Sequence, residues 1–142
     1  MKLVNYGPGE LSDRLSILAL KICVSTEKGK DATHFRTEQT ALLTQIRART
    51  LNGKWFEAYT ALAAVNALLW HAEDELREWR AKWKPTGPDS TMLTGPGEGY
   101  KEATASKVAA VAFRIQALND ERAALVQKIN EDAGEAVGQE KL

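Results

Sequence analysis

Apolar residues recur at helical spacing in four stretches of the chain, and nowhere do they show the strict alternation of a half-buried strand. In the first stretch Leu11, Leu15, Leu18 and Ile22 lie at a 4-3-4 spacing, which lays one stripe along a helix over about 9–26. That helix opens after Gly7-Pro8-Gly9, and Glu27 to Lys30, with Gly29 inside, form the turn that follows. The second stretch, about 32–51, has a narrower face of Phe35, Leu42, Leu43 and Ile46. Asp31 or Thr33 is placed to cap its start, and Asn52-Gly53 to end it, because both tolerate the left-handed conformation of a helix C-terminus. The third, about 54–84, keeps a 3-4 alternation through Leu62, Val65, Leu69, Ala72, Leu76, Trp79 and Trp83, the spacing of bundle or coiled-coil packing. The fourth, about 100–132, repeats it with Val108, Val111, Ile115, Leu118, Leu125 and Ile129.

Residues 85–99 contain Pro85, Gly87, Pro88, Gly95, Pro96 and Gly97, so no regular element crosses them and a long lid-like or binding loop is expected. Beyond Gly134 the tail, 134–142, has little to bury and is expected to fray. The prediction is a single all-α domain over 1–142, a four-helix bundle-like fold with a long Pro/Gly-rich loop before the last helix. Two helices of about 30 residues beside two of about 20 would overhang. Cover for Trp79 and Trp83 then calls for a homo-oligomer, a dimer or higher.

Composition narrows the classes of function. A chain of 142 residues buries roughly two-thirds of its unfolded surface and needs no metal or disulfide staple. Nineteen Lys plus Arg against 19 Asp plus Glu leaves no basic excess, which argues against general nucleic-acid binding and against an anionic membrane surface. The lone cysteine, Cys23, excludes an intramolecular disulfide and a Cys-based zinc site. Sitting among Leu20, Ile22 and Val24, it reads as a small buried hydrophobe in a reducing compartment. No apolar run approaches the roughly 20 residues of a membrane span, and Met1 to Tyr6 has no signal-peptide pattern, so the expected location is cytoplasmic.

Some polar residues do not fit this packing. Asn66, Trp70, Glu73 and Arg77 run parallel to the third helix's apolar stripe, displaced by one residue and hence by about 100°. Glu73 and Arg77 make an i, i+4 pair suited to an exposed face, but Trp70 in the same line implies cover. On the first helix Glu10, Arg14, Ile17 and Lys21 share a face, with Asp13 beside them. Arg122 occupies a position of the fourth stripe that calls for an apolar residue. It must snorkel out or meet a carboxylate, and Glu10, Asp13, Glu73 and Asp74 are the candidates. One reading of this set is an internal ion-pair network that fixes helix register. The other is an inter-helix pocket carrying both signs of charge: Glu10, Asp13, Glu73 and Asp74 as ligands for Mg²⁺, or Arg14, Lys21, Arg77 and Arg122 as partners of phosphate or carboxylate.

The tetrapeptide Gly-Pro-Gly-Glu precedes two helices, at Gly7 to Glu10 and Gly95 to Glu98. Free helix N-terminal N–H groups bind anions, but proline removes a donor and glutamate already answers the dipole, so ordinary helix initiation is the better account. His34 and His71 are isolated helix residues, and no serine elbow, phosphate loop or Cys-His pair is present, which disfavours covalent catalysis.

Three blocks resemble a family of small uncharacterised bacterial helical proteins, classed as a domain of unknown function. They are Gly9-Glu10-Leu11-Ser12-Asp13-Arg14-Leu15 through Ile17-Leu18 to Lys21; Val65-Asn66 through Leu69-Trp70 to Glu73-Asp74 and Arg77; and Asn119-Asp120 with Arg122-Ala123 and Leu125, ending at Ile129-Asn130. The Glu140-Lys141 ending is similar too, whereas the Pro/Gly-rich loop and Lys54 to Tyr59 are peculiar to this chain. The resemblance brings no activity. It implies that Glu10, Asp13, Lys21, Asn66, Trp70, Glu73, Asp74, Asn119, Asp120 and Arg122 form one constellation.

Three functions fit these residues. The first is a binding protein for a small anionic ligand, nucleotide-like or a phosphosugar, held in an inter-helix pocket by Glu10, Asp13, Arg14, Lys21, Asn66, Trp70, Glu73, Arg77, Asn119 and Arg122. The second is a Mg²⁺-dependent nucleotide pyrophosphohydrolase-like enzyme using Glu10, Asp13, Glu73 and Asp74. The third is a structural or partner-binding oligomeric module. Whether the chain is an enzyme is left open by the sequence.

Overall fold

Gly7 enters from extended backbone and Pro8 takes the first helical turn, where its missing N–H costs nothing. Glu10 follows in the same turn and answers the dipole. This starts α1, Pro8–Glu27. Its end is a Schellman turn: Gly29 sits at φ 67°, while Lys30 N–H donates to the Ser25 carbonyl at 2.8 Å and Gly29 N–H to Thr26 at 3.1 Å. Three further helices follow, α2 (Thr33–Arg47), α3 (Gly53–Lys82) and α4 (Glu98–Asp132). The structure, a computed structural model, describes residues 4–82 and 98–134. Among the described residues there is no strand, and the fold is all-α with four bundle-like helices. The predicted loop lies outside them except for Glu98 and Gly99, which already belong to α4. Trp83 and the tail beyond Gly134 lie outside them as well.

The second helix ends about four residues earlier than its pattern predicts. Ala48 caps it at Arg47, and the Arg49 side chain turns back to donate to the Gln45 carbonyl at 3.3 Å and to the Tyr6 carbonyl. Gln45 clamps the same entering segment, accepting from Tyr6 N–H at 3.0 Å and donating to Val4 O at 2.8 Å. The Arg49 bonds are made by a chain that has left the helix. Asn52 does not close α2 in a left-handed conformation, since Gly29 and Gly134 are the described positions with positive φ. It opens α3 instead, its Oδ1 accepting the Trp55 N–H at 3.2 Å.

The described chain divides into two compact units, residues 4–67 with 121–134, and residues 68–82 with 98–120. In the first, Leu11, Leu15, Leu18 and Leu42 form a core with Phe35, Leu43, Ile46, Tyr6 and Tyr59 against it. Ala58, Leu62 and Ile129 form a second cluster beneath Trp55, Leu125 and Val126. Each fully buried leucine or isoleucine of this kind contributes roughly 1.5–3 kcal/mol of burial. In the second unit Leu69, Ala72, Val111 and Leu118 are buried, Leu76, Trp79, Val108 and Ile115 partly so. Arg114 pairs with Glu75 at 3.6 Å and Lys107 lies 5.9 Å from the Trp79 ring centre.

Cys23 corrects its sequence reading, for it is exposed. Leu11, Leu15 and Leu18 turn the apolar face of α1 inward, and Cys23 lies one residue, about 100°, beyond the Ile22 end of that stripe. His34 and His71 are exposed helix residues, as read.

Candidate functional site

The same helical phase that buries Leu11, Leu15 and Leu18 carries Ser12, Asp13 and Ser16 inward with them. A buried carboxylate needs partners, and Asp13 accepts three bonds. Asn66 Nδ2 donates to its Oδ1 at 2.9 Å. Arg122 grips both oxygens, Nε to Oδ1 at 2.9 Å and Nη2 to Oδ2, the two-pronged geometry that makes arginine–carboxylate bonds strong. Asn66 gives its second amide hydrogen to Ser16 Oγ at 2.5 Å, and that hydroxyl donates to the Asp13 carbonyl at 2.8 Å. The arginine that interrupts the α4 stripe thus meets a carboxylate, and Asp13, one of the four candidates, is bonded to it.

Two further ties fix the start of α1. Ser12 donates to the Pro8 carbonyl at 2.6 Å and accepts the Trp55 indole N–H at 2.9 Å. Gly9 donates its N–H to Asn130 Oδ1 at 2.8 Å. A Cβ at Gly9 would come within 2.3 Å of the Val126 carbonyl and 2.8 Å of the Asn130 amide nitrogen, so the glycine serves close helix approach. One N–H that could have bound an anion at this helix start is taken by Asn130.

Beside the Asp13 cluster a cleft of about 280 Å³ opens, lined by Glu10, Asp13, Arg14, Ile17, Leu18, Lys21, Glu38 and Arg122. The face of α1 that the sequence marked, Glu10, Arg14, Ile17 and Lys21, is its wall. Arg14 donates to Glu10 at 3.2 and 3.3 Å and lies 4.2 Å from the Tyr6 ring centre. Lys21 lies 5.5 Å from the Phe35 ring centre and has no carboxylate partner among the described residues. Arg122 is 34% exposed, and Asp13 holds its Nε and Nη2.

The remaining predicted residues belong to the second unit. Trp70 is half-buried, as its place in the polar line implied, while Glu73, Asn119 and Asp120 are exposed. Arg77 pairs with Asp74, three residues before it, rather than with Glu73. Among the described residues no group of three or more His, Cys, Asp or Glu side chains could hold a metal ion. Of the expected Mg²⁺ set, Glu10 and Asp13 belong to the first unit and Glu73 and Asp74 to the second. Asp13 directs its oxygens at Arg122 and Asn66.

Sequence reasoning missed Ser12, Ser16, Trp55 and Glu38. The i, i+4 pair of small hydroxyls flanking Asp13 was the available signal for the serines. Glu38 carries none, being one charged residue on a polar helix face. Among the described residues no helix is long and apolar enough to cross a membrane. No family model, no curated protein and no solved structure matches the chain.

Proposed function

We propose that this protein binds a small anionic ligand bearing hydroxyl groups, of the nucleotide or phosphosugar kind, in the cleft along α1. The observation that carries the reading is the convergence of Arg14, Lys21 and Arg122 on one cleft, with Lys21 lacking a carboxylate partner among the described residues. Arg122 and Arg14 are held by Asp13 and Glu10, which fixes their geometry at the cost of neutralising them. Lys21 supplies the charge for a phosphate, Arg14 supplies further donors, Arg122 adds positive charge at the cleft wall, and Glu38 accepts from sugar hydroxyls. Ile17 and Leu18 give the ligand an apolar floor.

The test is calorimetric titration of a panel of nucleotides and phosphosugars. At least one member should bind, and Lys21→Ala and Arg122→Ala should each weaken it tenfold or more while the circular dichroism of the helices persists. A panel that fails to bind, or binding indifferent to both substitutions, overturns the reading.

One observation favours a second reading, a structural or partner-binding oligomeric module. The Asp13, Asn66, Ser16 and Arg122 bonds close on themselves, as they would in a network that fixes helix register. The exposed Leu68 and Phe113 give such a module apolar surface for a second copy. Under this reading Arg122→Met keeps the oligomeric state and partner binding. The cytoplasmic location and the kinship with the small bacterial helical family belong to either proposal.

A further inference from the structure

A second cleft, sharing no residue with the first, opens between α1, α2 and α3. It has a volume of about 190 Å³ and is lined by Leu15, Gln39, Leu43, Ile46, Trp55 and Tyr59. Two aromatic rings make one wall: Trp55 and Tyr59, one helical turn apart, stack with centres 5.4 Å apart and planes 23° from parallel. The wall is rigid, because the indole N–H of Trp55 is bonded to Ser12 Oγ at 2.9 Å and Ser12 is bonded in turn to the Pro8 carbonyl. The opposite side is aliphatic, from Leu43 and Ile46, with Leu15 buried beneath.

Two polar groups edge this apolar slot. Gln39 and Tyr59 are both half-buried residues, and neither side chain has a hydrogen-bond partner among the described residues. Burial alone pushes the Tyr59 phenol above its ordinary range, so at neutral pH it is a hydroxyl, able to donate and to accept. Amide and hydroxyl groups left this way at an apolar cleft are unfavourable unless water or a ligand completes them. Neither residue carries charge, and no ionised side chain lines the cleft, which argues against an ionic occupant.

We propose that this cleft is a binding site for an uncharged planar heteroaromatic ring, seated against the Trp55–Tyr59 wall and hydrogen-bonded at its edge by the Gln39 amide and the Tyr59 hydroxyl. The volume holds one ring system and no more, since sites for larger ligands run from about 300 Å³ upward. Stacking supplies affinity, and the two polar groups distinguish a nitrogen heterocycle from a plain hydrocarbon, because an amide left unpaired by the wrong ligand costs more than a matched bond gains.

Adenine is a suitable probe and toluene, which stacks but cannot pair at its edge, its control. The whole chain, labelled with ¹⁵N, is titrated with each, and the Trp55 indole N–H and Gln39 side-chain amide signals are followed, assigned by their loss in Trp55→Phe and Gln39→Leu. The expected result is saturable shifts of both signals with adenine at sub-millimolar to millimolar concentration, as befits a fragment of about ten heavy atoms. Tyr59→Ala should weaken adenine tenfold or more, and Tyr59→Phe, which keeps the ring, only a few-fold. Gln39→Leu should erase the preference for adenine over toluene. Absence of shifts in the folded wild-type protein up to the solubility limit overturns the proposal. So does adenine binding that Tyr59→Ala and Gln39→Leu leave unchanged, or equal affinity for adenine and toluene in the wild type.

Discussion

Gly9 is the residue with the least freedom to change. Its missing side chain admits the Val126 carbonyl, and a backbone atom cannot swing aside as a side chain would. Gly9→Ala should therefore lower unfolding stability by about 1–3 kcal/mol in urea titration, although alanine is the better helix former in isolation. The Asp13–Arg122 pair makes a different demand. Removing either partner leaves the other short of a counter-charge, and Asp13 is the more deeply buried of the two. A double-mutant cycle on Asp13→Ala and Arg122→Ala should give a coupling of about 2 kcal/mol, with the double variant less damaged than the sum of the singles. Additive losses would mean the pair is a surface contact. The need for a carboxylate at Arg122 was legible in the sequence because a charged residue broke an apolar period, but Asp13 was one of four candidates and only the packing of α1 selects it. Asn66 stood out differently, in a polar line one residue off the α3 stripe that also holds Trp70. Ser12 and Ser16 did not stand out, since a serine on a helix is equally at home bonded to its own backbone, and only the tertiary arrangement shows Trp55 and Asn66 using those hydroxyls.

At the scale of whole helices the stripes translate directly into burial. Leu62, Val65, Leu69 and Ala72 of α3 and Val111, Leu118 and Ile129 of α4 are all buried, as the 3-4 spacing predicts. The ends were less legible, because cap residues serve either neighbour. Asn52 suits the end of α2 or the start of α3, and what decides is Arg49 reaching Tyr6, a bond across 43 residues that local pattern cannot contain. Asn52→Ala should accordingly cost about 1 kcal/mol and loosen the first turn of α3, read by faster hydrogen exchange at Trp55, with α2 unaffected. At the start of α2, Asp31 accepts the Thr33 hydroxyl at 2.6 Å and the Thr33 N–H at 2.9 Å, and these bonds, with a smaller contribution from His34, hold its carboxyl below the usual value of 3.8. A depressed folded-state pKa means the stabilisation is present above the unfolded value and is lost as pH falls through the folded one. NMR titration of the Asp31 carboxyl should find its midpoint below 3.8, and Thr33→Val should move it upward. An unmoved midpoint in that variant would assign the shift to another cause.

In the whole molecule, apolar burial is unevenly shared between the two units. The first holds Leu11, Leu15, Leu18, Leu42, Leu62 and Ile129, together with the Asp13 network and the clamp on residues 4–7. The second relies on Leu69, Val111 and Leu118 with the small Ala72, while Leu68 and Phe113 stand in solvent. Regions with fewer buried apolar side chains open at lower free energy, and α3 and α4 each run through both units, so a helix need not open as one piece. Native-state hydrogen exchange should then divide α3 near Ala67. Amides over 58–66 should exchange only through global unfolding, and those over 69–80, with 108–118 of α4, through a cheaper opening. Leu69→Ala should widen the gap, raising exchange over 69–80 and 108–118 while leaving Leu15 and Leu18 protected. Uniform protection along α3, falling everywhere by the same amount in that variant, would mean that the two units open together. The distinction bears on function, because both clefts are lined wholly by residues of the first unit. A ligand in either should slow exchange in α1 and α2, and if the units open separately it should leave the cheaper opening of 69–80 where it was.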